Sequence, residues 1–296
     1  MYFRRDYGLA AFIFLTCFSS ICIAKDQAPI GAADNQWIQL FNGRDLTGWQ
    51  PKFTKHPLGT NLHNTFKVQD GLLTVSYSGY TNFEGQFGHL FYTQPFSHYA
   101  LSVTYRFLGQ QVKGGPPGWA VRNSGVMFHA QAPDTMTISQ DFPISIEMQF
   151  LGGLGNGKPR PTANVCTPGT HIHREGLLIK QHCVYSNSPT YDGDGWVTVD
   201  LVVLGGGSVT HYVNGSQVLK YTNPVLDKAV TAQPDSPAAH RFTNLNQGYI
   251  ALQSESHPVQ FKTVKLLNLA GCTNPAASNH RPYYVKSEPE KCIFSP

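Results

Sequence analysis

The sequence predicts an all-β protein, built either as a sandwich of two antiparallel sheets or as a barrel. Strand-length runs of alternating apolar and polar residues recur along the chain between turn residues; in Phe66 to Tyr77, two such runs flank Asp70 and Gly71. No segment keeps a 3.6-residue apolar period over three turns, so no long amphipathic helix is expected. We therefore expect about eleven short strands and no helix.

The first 24 residues have the pattern of a cleaved secretory signal. Arg4 and Arg5 form a basic start, an apolar stretch extends from Leu9 to Ile23, and Ala24 precedes polar residues. We expect cleavage near Ala24 and a secreted or periplasmic mature protein. The apolar stretch is short for a membrane span and no second one follows, so we expect no span in the mature protein; a single-pass anchor is the alternative.

The cysteines outside this signal favour two disulfides. There are four of them: Cys166, Cys183, Cys272 and Cys292. An even count in an exported chain is typical of disulfide bonding, and we expect the sequence-local pairing, Cys166 with Cys183 and Cys272 with Cys292, because it closes two modest loops. Each bond would stabilise the fold by about 2–4 kcal/mol. Zinc binding is the competing use, but the C-x16-C spacing is a weak zinc signature.

The composition argues against nucleic acid as a partner. The formal net charge is +4, or about +3 without the signal, charged residues are only 14%, and no basic run occurs. Aromatic residues make up 12% of the chain and accompany abundant glycine, proline and tyrosine. This composition suits an all-β protein whose partner is a neutral polar ligand, such as a sugar.

The stretch from Pro143 to Gly153 carries the first candidate site. Its apolar residues alternate with polar ones, and strand side chains point alternately to opposite faces. The face opposite the predicted core therefore presents Glu147 and Gln149, whereas the core face presents Ile144, Ile146, Met148 and Phe150. A carboxylate and an amide on a rigid strand suit sugar hydroxyls, a metal ion or a proton transfer. A solvated polar face is the alternative.

A second strand repeats this pattern. In the run YIALQSE, Ile250 and Leu252 occupy one face, and Gln253 and Glu255 occupy the other together with Tyr249. The chain therefore has two glutamine and glutamate pairs on strand faces. The alternative for Glu255 is an edge carboxylate beside the following His-Pro turn.

The order of motifs resembles the 3-keto-disaccharide hydrolase family. The motifs are WIQLFNGRDLTGW, FKVQDGLLTV, RNSGVMF, IEMQFLGG, PTANVCTPGT, HYVNGSQVLKY and GYIALQSESHPVQFK. The resemblance covers Trp37 to Leu269 and implies one concanavalin A-like, two-sheet antiparallel jelly roll over residues 37–270. The strand pattern stops there, and residues 271–296 are expected to form an irregular tail held by the second disulfide.

The family resemblance implies chemistry on sugars that are already oxidised at C3. The ketone acidifies the hydrogen on C2, so a base removes that proton, the C1 substituent leaves by elimination, and water adds later. The protein must supply a base, an electrophile for the enolate oxygen and an acid for the leaving group. One bound divalent metal ion is a possible electrophile. Glu147 is the first candidate for the base or a metal ligand, and Glu255 is the second catalytic candidate.

Several further residues are candidates for the site. His211 is a catalytic candidate, although its alternation with valines also fits a buried, hydrogen-bonded histidine. Arg122, Asn123 and His129 would give one strand a basic end that binds an anionic intermediate. Ordinary surface positions are the alternative for these residues. Gln149 and Gln253 would hold sugar hydroxyls.

His171 and His173 are candidate metal ligands together with Glu147. They lie two residues apart and would share a face if the segment is extended, which suits a metal ion as well as a solvated loop. Trp119 and Trp196 are candidate stacking platforms for a sugar ring, with burial in the core as the alternative.

Two other functions compete with cleavage of 3-keto-glycosides. One is a carbohydrate-binding module of the same fold without turnover. The other is a conventional glycoside hydrolase, but the E-x-D-x-x-E signature of the laminarinase-like glycosidases is missing, because the strand has Gln149 where that mechanism needs its second carboxylate.

Overall fold

A computed structural model describes residues 32–231 and 245–295. The predicted signal, residues 1–24, lies outside the described residues. Within the described ranges, no helix has both the length and the apolar character that a membrane crossing requires.

Antiparallel strands dominate the described residues. Numbered along the chain, the strands are β1 (Ile38–Gln39), β2 (Trp49–Phe53), β3 (Phe66–Gln69), β4 (Leu72–Val75), β5 (Gly88–Tyr92), β6 (His98–Phe107), β7 (Asn123–Ala130), β8 (Ile146–Leu151), β9 (Asn164–Cys166), β10 (Thr170–Arg174), β11 (Leu177–Ile179), β12 (Cys183–Val184), β13 (Val197–Leu204), β14 (Ser208–Val213), β15 (Ser216–Leu226), β16 (Tyr249–Ser254), β17 (Val259–Asn268), β18 (Ala270–Gly271) and β19 (Lys286–Ser287). The helices are a short α1 (Lys228–Thr231) and the 3₁₀ turns Asp34–Gln36, Leu62–Asn64, Pro133–Thr135 and Pro289–Lys291.

The strands form two large sheets. Sheet A has the order β11-β10-β15-β14-β13-β6-β17-β4-β3, with β1 added beside β17, and sheet B has the order β12-β9-β8-β7-β16-β5-β2. Pairing within both sheets is antiparallel. The predicted two-sheet jelly-roll sandwich is confirmed. The described residues contain 19 strands, more than the predicted eleven, and six of these strands have only two or three residues, too few to show alternation in the sequence.

The core lies between the inner faces of the two sheets. The predicted inner residues of β8, Ile146, Met148 and Phe150, are all buried in it. The ring of Phe150 stacks on Tyr105 of β6 across the sandwich, with centroids 4.3 Å apart and planes 8° from parallel. The same alternation directs Glu147 and Gln149 to the outer face of sheet B.

Both predicted disulfides are present. Cys166–Cys183 joins β9 to β12 at the edge of sheet B. Cys272–Cys292 ties the end of the chain to the segment that follows β17, where β18 and β19 form a small parallel pair. Two disulfides are typical of proteins that mature outside the reducing cytosol.

We expect Phe150→Ala to lower the free energy of unfolding by about 3–5 kcal/mol, because it opens a cavity between the sheets and removes the stacking on Tyr105. Urea unfolding followed by tyrosine and tryptophan fluorescence measures this loss. Phe294→Ala is the matched control, since Phe294 is 54% exposed and the same deletion there should change the stability by less than about 0.5 kcal/mol. Equal losses in the two variants would contradict the described core.

Candidate active site

The candidate site lies on the outer face of sheet B. Strand pairing places Glu147 opposite Met127 and Gln149 opposite Gly125, while Gln253 pairs with His89 on the neighbouring strands. Each of these positions alternates with residues of the core, so their side chains share the outer face. The two polar pairs predicted from the sequence are therefore brought to one surface.

A cavity of about 320 Å³ opens on this surface. Its polar floor is formed by Asn123, Glu147, Gln149 and Glu255. Loop residues and the edge of the sheet form its walls: Trp119, Phe142, Pro168, His182 and the Cys166–Cys183 disulfide. The volume lies at the lower end of the range of small-molecule sites, about 300–1,000 Å³.

The carboxyl group of Glu147 lies directly over Gly125. Glu147 is 6% exposed, and its Oε1 atom has no hydrogen-bond partner in the described protein. A Cβ atom at Gly125 would come within 2.5 Å of that oxygen and 3.1 Å of the Met148 carbonyl. The absence of a side chain at Gly125 thus allows the carboxyl group of Glu147 to extend over the neighbouring strand β7.

Glu255 follows the last residue of β16 and is also buried, with its Oε2 atom unpaired in the described protein. The next residue, Ser256, has a φ of +88°, a conformation that a serine rarely adopts. It is held there because its N–H donates to the Tyr77 hydroxyl at 2.7 Å and its Oγ accepts from Gln111 at 2.8 Å. Strained residues held by their surroundings are common at functional sites.

The two carboxyl groups influence each other electrostatically. Burial raises the pKa of Glu147, and burial together with the charge of Glu147 raises the pKa of Glu255 well above its usual range. A second negative charge is unfavourable in this environment. Both groups therefore hold their protons to higher pH than exposed carboxyl groups do, and because the charge of Glu147 raises the pKa of Glu255 further, Glu147 is the one that ionises first.

Two polar residues of this face were not identified from the sequence. His89 is fully buried, neither ring nitrogen has a partner in the described protein, and its ring packs edge-on against Phe142 of the cavity wall. Burial and the charge of Lys52 lower the pKa of His89 to about 3, so the ring is neutral at pH 7. Lys52, whose own pKa is lowered by burial, donates to the Phe53 carbonyl at 2.8 Å. Only the pairing of β5 with β2 and β16 connects these residues with the site.

Among the predicted substrate-binding residues, Asn123 and Gln149 line the cavity, and Gln253 lies on the same face, fully buried with both amide atoms unpaired in the described protein. Arg122 instead turns to a loop, where it pairs with Asp194 at 3.3 Å and donates to a backbone carbonyl. The imidazole of His129 lies 3.0 Å from the carbonyl of Gly205, which belongs to the loop after β13. Neither Arg122 nor His129 lines the cavity.

The structure places His211 inside the sandwich. Its Nδ1 atom lies 2.9 Å from the Ala163 carbonyl and its Nε2 atom 2.9 Å from the Tyr221 hydroxyl. Both ring nitrogens are therefore engaged, and burial lowers the pKa of His211 to about 4. These contacts fit a structural histidine, the alternative that its alternation with valines left open.

The predicted metal ligands do not come together. His171 and His173 lie on β10 of sheet A, where His171 faces Asp227 at 3.6 Å and His173 contacts the Asn223 carbonyl at 2.8 Å. Within the described parts of the chain, no group of three or more His, Cys, Asp or Glu residues is placed to hold a metal ion. The predicted ligands Glu147, His171 and His173 are thus divided between sheet B and sheet A.

An arginine holds the cavity rim in place. Arg160 donates to the carbonyls of Trp119 at 3.2 Å, Val121 at 2.6 Å and Arg122 at 3.1 Å, and also to that of Gly152. This anchors the loop that carries Trp119, a residue that is 51% exposed beside the cavity. Trp196, the other candidate platform, packs under the Arg106 guanidinium at 4.5 Å and does not line the cavity.

We expect Glu147→Gln to stabilise the protein at pH 8 and to leave its stability nearly unchanged at pH 4. A carboxyl group whose pKa is raised by folding favours the folded state below its unfolded pKa, near 4.3, and this stability is lost as the pH rises through the folded pKa. Glutamine cannot ionise, so the gain at pH 8 should be roughly 1 kcal/mol or more. Thermal unfolding at both pH values measures it.

The control for this prediction is Glu290→Gln, which removes an exposed carboxylate outside the cavity. Its effect on the unfolding temperature should be small at both pH values. A Glu147→Gln protein that is less stable than the parent at pH 8 would contradict the raised pKa of Glu147.

Comparison with solved structures finds several proteins to which this chain is similar. Two candidate glycosyl hydrolases of Parabacteroides distasonis ATCC 8503 are similar. The first is 18% identical, the match covers 80% of this chain and 98% of that chain, and the TM-score is 0.45. The second is 14% identical, the match covers 79% of this chain and 99% of that chain, and the TM-score is 0.47. A β-glucanase of Bacillus licheniformis is 12% identical, with 78% and 97% covered and a TM-score of 0.42. No curated protein matches the sequence significantly.

The family assignment comes from the sequence itself. The profile of the 3-keto-alpha-glucoside-1,2-lyase-like domain, the family of 3-keto-disaccharide hydrolases, matches residues 36–267. This range includes all the residues that line the cavity and, except for Asn268 at the end of β17, both large sheets. The resemblance seen in the sequence motifs is thereby confirmed, and the chain belongs to the 3-keto-disaccharide hydrolase family.

Proposed function

We propose that this protein is an exported, secreted or periplasmic enzyme that cleaves 3-keto-glycosides by removing the proton on C2 and eliminating the substituent on C1. Membership in the family supports an enzyme that acts on carbohydrates. The observation that carries the finer proposal is the presence of two buried, interacting carboxyl groups, Glu147 and Glu255, in one cavity. Such a pair supplies the base and the acid that the elimination requires.

The proposed cleavage consists of proton abstraction at C2 followed by elimination at C1. The carboxylate of Glu147 takes the C2 proton, and the electrons of that C–H bond delocalise onto the C3 oxygen as an enolate. When the enolate collapses, a C1–C2 double bond forms and the C1–O bond breaks. The leaving oxygen takes the proton of the Glu255 carboxyl group. Water later adds across the double bond: its hydroxyl bonds to C1 as Glu255 takes the remaining water proton, and Glu147 returns its proton to C2, which gives the free 3-keto sugar and restores both groups.

The two carboxyl groups take different roles because Glu147 ionises before Glu255. Glu147 lies mid-strand over Gly125 with an unpaired oxygen, which suits the base. The pKa of Glu255 is raised by burial and further by the charge of Glu147, so Glu255 retains the proton and acts as the acid. Separating the two pKa values in this way defines the acid and the base.

Neutral donors on the same face would stabilise the enolate. Gln253 has an unpaired amide N–H, and neutral His89 has one N–H without a partner in the described protein. Preorganised donors in a dry site stabilise a developing negative charge strongly. Asn123 and Gln149 would hold sugar hydroxyls, and the exposed ring of Trp119 would stack on the sugar.

We expect Glu147→Gln and Glu255→Gln each to lower turnover of a 3-keto-glucoside by at least about a hundredfold, because each removes one proton-transfer group. Release of the C1 substituent measures turnover, and Glu290→Gln is the matched control with parent activity. If Glu147→Gln keeps nearly the parent rate, Glu147 is neither the catalytic base nor a metal ligand. The metal content of each purified protein is measured in parallel, and metal lost with Glu147→Gln would assign Glu147 to ligation.

We also expect deuterium at C2 of the 3-keto substrate to slow release of the C1 substituent several-fold, because the C2–H bond breaks in the elimination. The same glycoside without the C3 ketone is the control and should not be cleaved. Cleavage of that control with no isotope effect would instead indicate conventional glycoside hydrolysis by paired carboxyl groups. Binding of both compounds without release would indicate a carbohydrate-binding module.

A further inference from the structure

We propose that the substituent released from C1 is a second sugar ring, and that Trp119 selects it by stacking on this ring. The inference rests on the proposed function, since it concerns the leaving group of that reaction. It follows from the side of the cavity on which Glu255 lies and from the aromatic surface that begins there.

Glu255 fixes the direction in which the C1 substituent leaves the cavity. Glu255 protonates the leaving oxygen, so that oxygen lies against its carboxyl group, while Glu147 faces the C2 hydrogen. In sheet B, β16, which leads to Glu255, and β8, which carries Glu147, lie on opposite sides of β7. A substrate that contacts both groups therefore directs its C1 substituent past Glu255 and away from β8.

An aromatic surface begins beside Glu255 on that side. Glu255 directly follows β16, whose last residue pairs with Gly88 of β5, so Phe87 is the neighbour of Glu255 on the antiparallel strand. The ring of Trp119 stacks on the ring of Phe87, with centroids 6.2 Å apart and planes 21° from parallel. Phe142 packs on the same ring at 4.9 Å. Trp119 and Phe142 line the cavity together with Glu255, so the aromatic surface continues from the acid to the rim.

Trp119 is held with one face of its ring supported and the other open. Phe87 covers one face, yet Trp119 is 51% exposed, so the exposure belongs to the opposite face and the edge of the indole. Its backbone is fixed on both sides: its N–H donates to the Pro117 carbonyl at 3.0 Å, and its carbonyl accepts from Arg160 at 3.2 Å. A ring restrained in this way loses little freedom when it binds a ligand.

This open aromatic face suits a sugar ring. A sugar ring has apolar C–H groups on its face and hydroxyls around its edge, and stacking buries the apolar face against the indole. Because Trp119 lies at the rim, the hydroxyls at the edge of the stacked ring stay in water and are not left without partners. A short substituent such as a methyl group has no face to stack and gains nothing from Trp119.

The test compares kcat/KM for an α-linked 3-keto-disaccharide with kcat/KM for methyl 3-keto-α-D-glucoside, in the parent protein and in Trp119→Ala. The two leaving groups differ in chemical reactivity, but this difference is the same in every variant and cancels when the ratios of the variants are compared. We expect Trp119→Ala to lower the ratio of the disaccharide to the methyl glycoside at least about fivefold, because it removes the stacking surface. Release of the C1 substituent measures both rates.

Two further variants locate the effect. Trp119→Phe retains an aromatic face and should keep most of the parent ratio. Trp196→Ala is the matched control, because Trp196 is covered by the Arg106 guanidinium at 4.5 Å and does not line the cavity, so its ratio should equal that of the parent. A loss of folded protein lowers both rates together, so the ratio still reports the stacking.

An unchanged ratio in folded Trp119→Ala would overturn the inference. If both rates fall equally in that variant, Trp119 contacts the oxidised ring that the two substrates share; if neither falls, it contacts no part of the substrate. An equal fall of the ratio in Trp196→Ala would overturn the assignment to Trp119 as well. These outcomes leave the proposed function intact, whereas cleavage of neither 3-keto substrate by the parent protein would refute the proposed function, and the inference with it.

Discussion

The pairing of β7 with β8 is the constraint on which the site depends. It sets Gly125 beside Glu147, and only a residue without a side chain leaves room for the carboxyl group to lie across the sheet. The inner faces of the same strands are held in the core by residues such as Phe128 and Phe150. A shift of one residue in the register would exchange the two faces, so core packing and site geometry are specified together.

The site concentrates groups that folding alone would avoid. Two buried carboxyl groups with raised pKa values, a neutral histidine and an unpaired glutamine amide lie on one face. Each costs stability when it lacks a partner. Burial also raises the basicity of the two carboxylates, and the packing of the core between the two sheets offsets the cost.

Supports beyond the cavity hold the site in shape. Arg160 fixes the loop of Trp119 through three of its backbone carbonyls and also donates to the carbonyl of Gly152 after β8. Tyr77 and Gln111 hold Ser256 in its strained conformation after Glu255. The Cys166–Cys183 bond joins the two strands beside Glu147. Loop, strand end and sheet edge are thus each restrained, which preorganises the cavity.

The sequence by itself determined an all-β chain, both disulfides and the polar pairs that contain Glu147 and Glu255, because strand alternation and local cysteine pairing are short-range properties. Its motifs indicated the family, and the family implied the two-sheet jelly roll. Only the tertiary structure decided that the two pairs meet, since that depends on the order of β8, β7 and β16 in sheet B. The same long-range pairing brought His89 and Lys52 to the site and placed His211 and His171 elsewhere. The face of a sheet on which a side chain lies can be predicted from its neighbours in the chain. The residues that lie beside it on other strands cannot, because they depend on the order of the strands in the sheet.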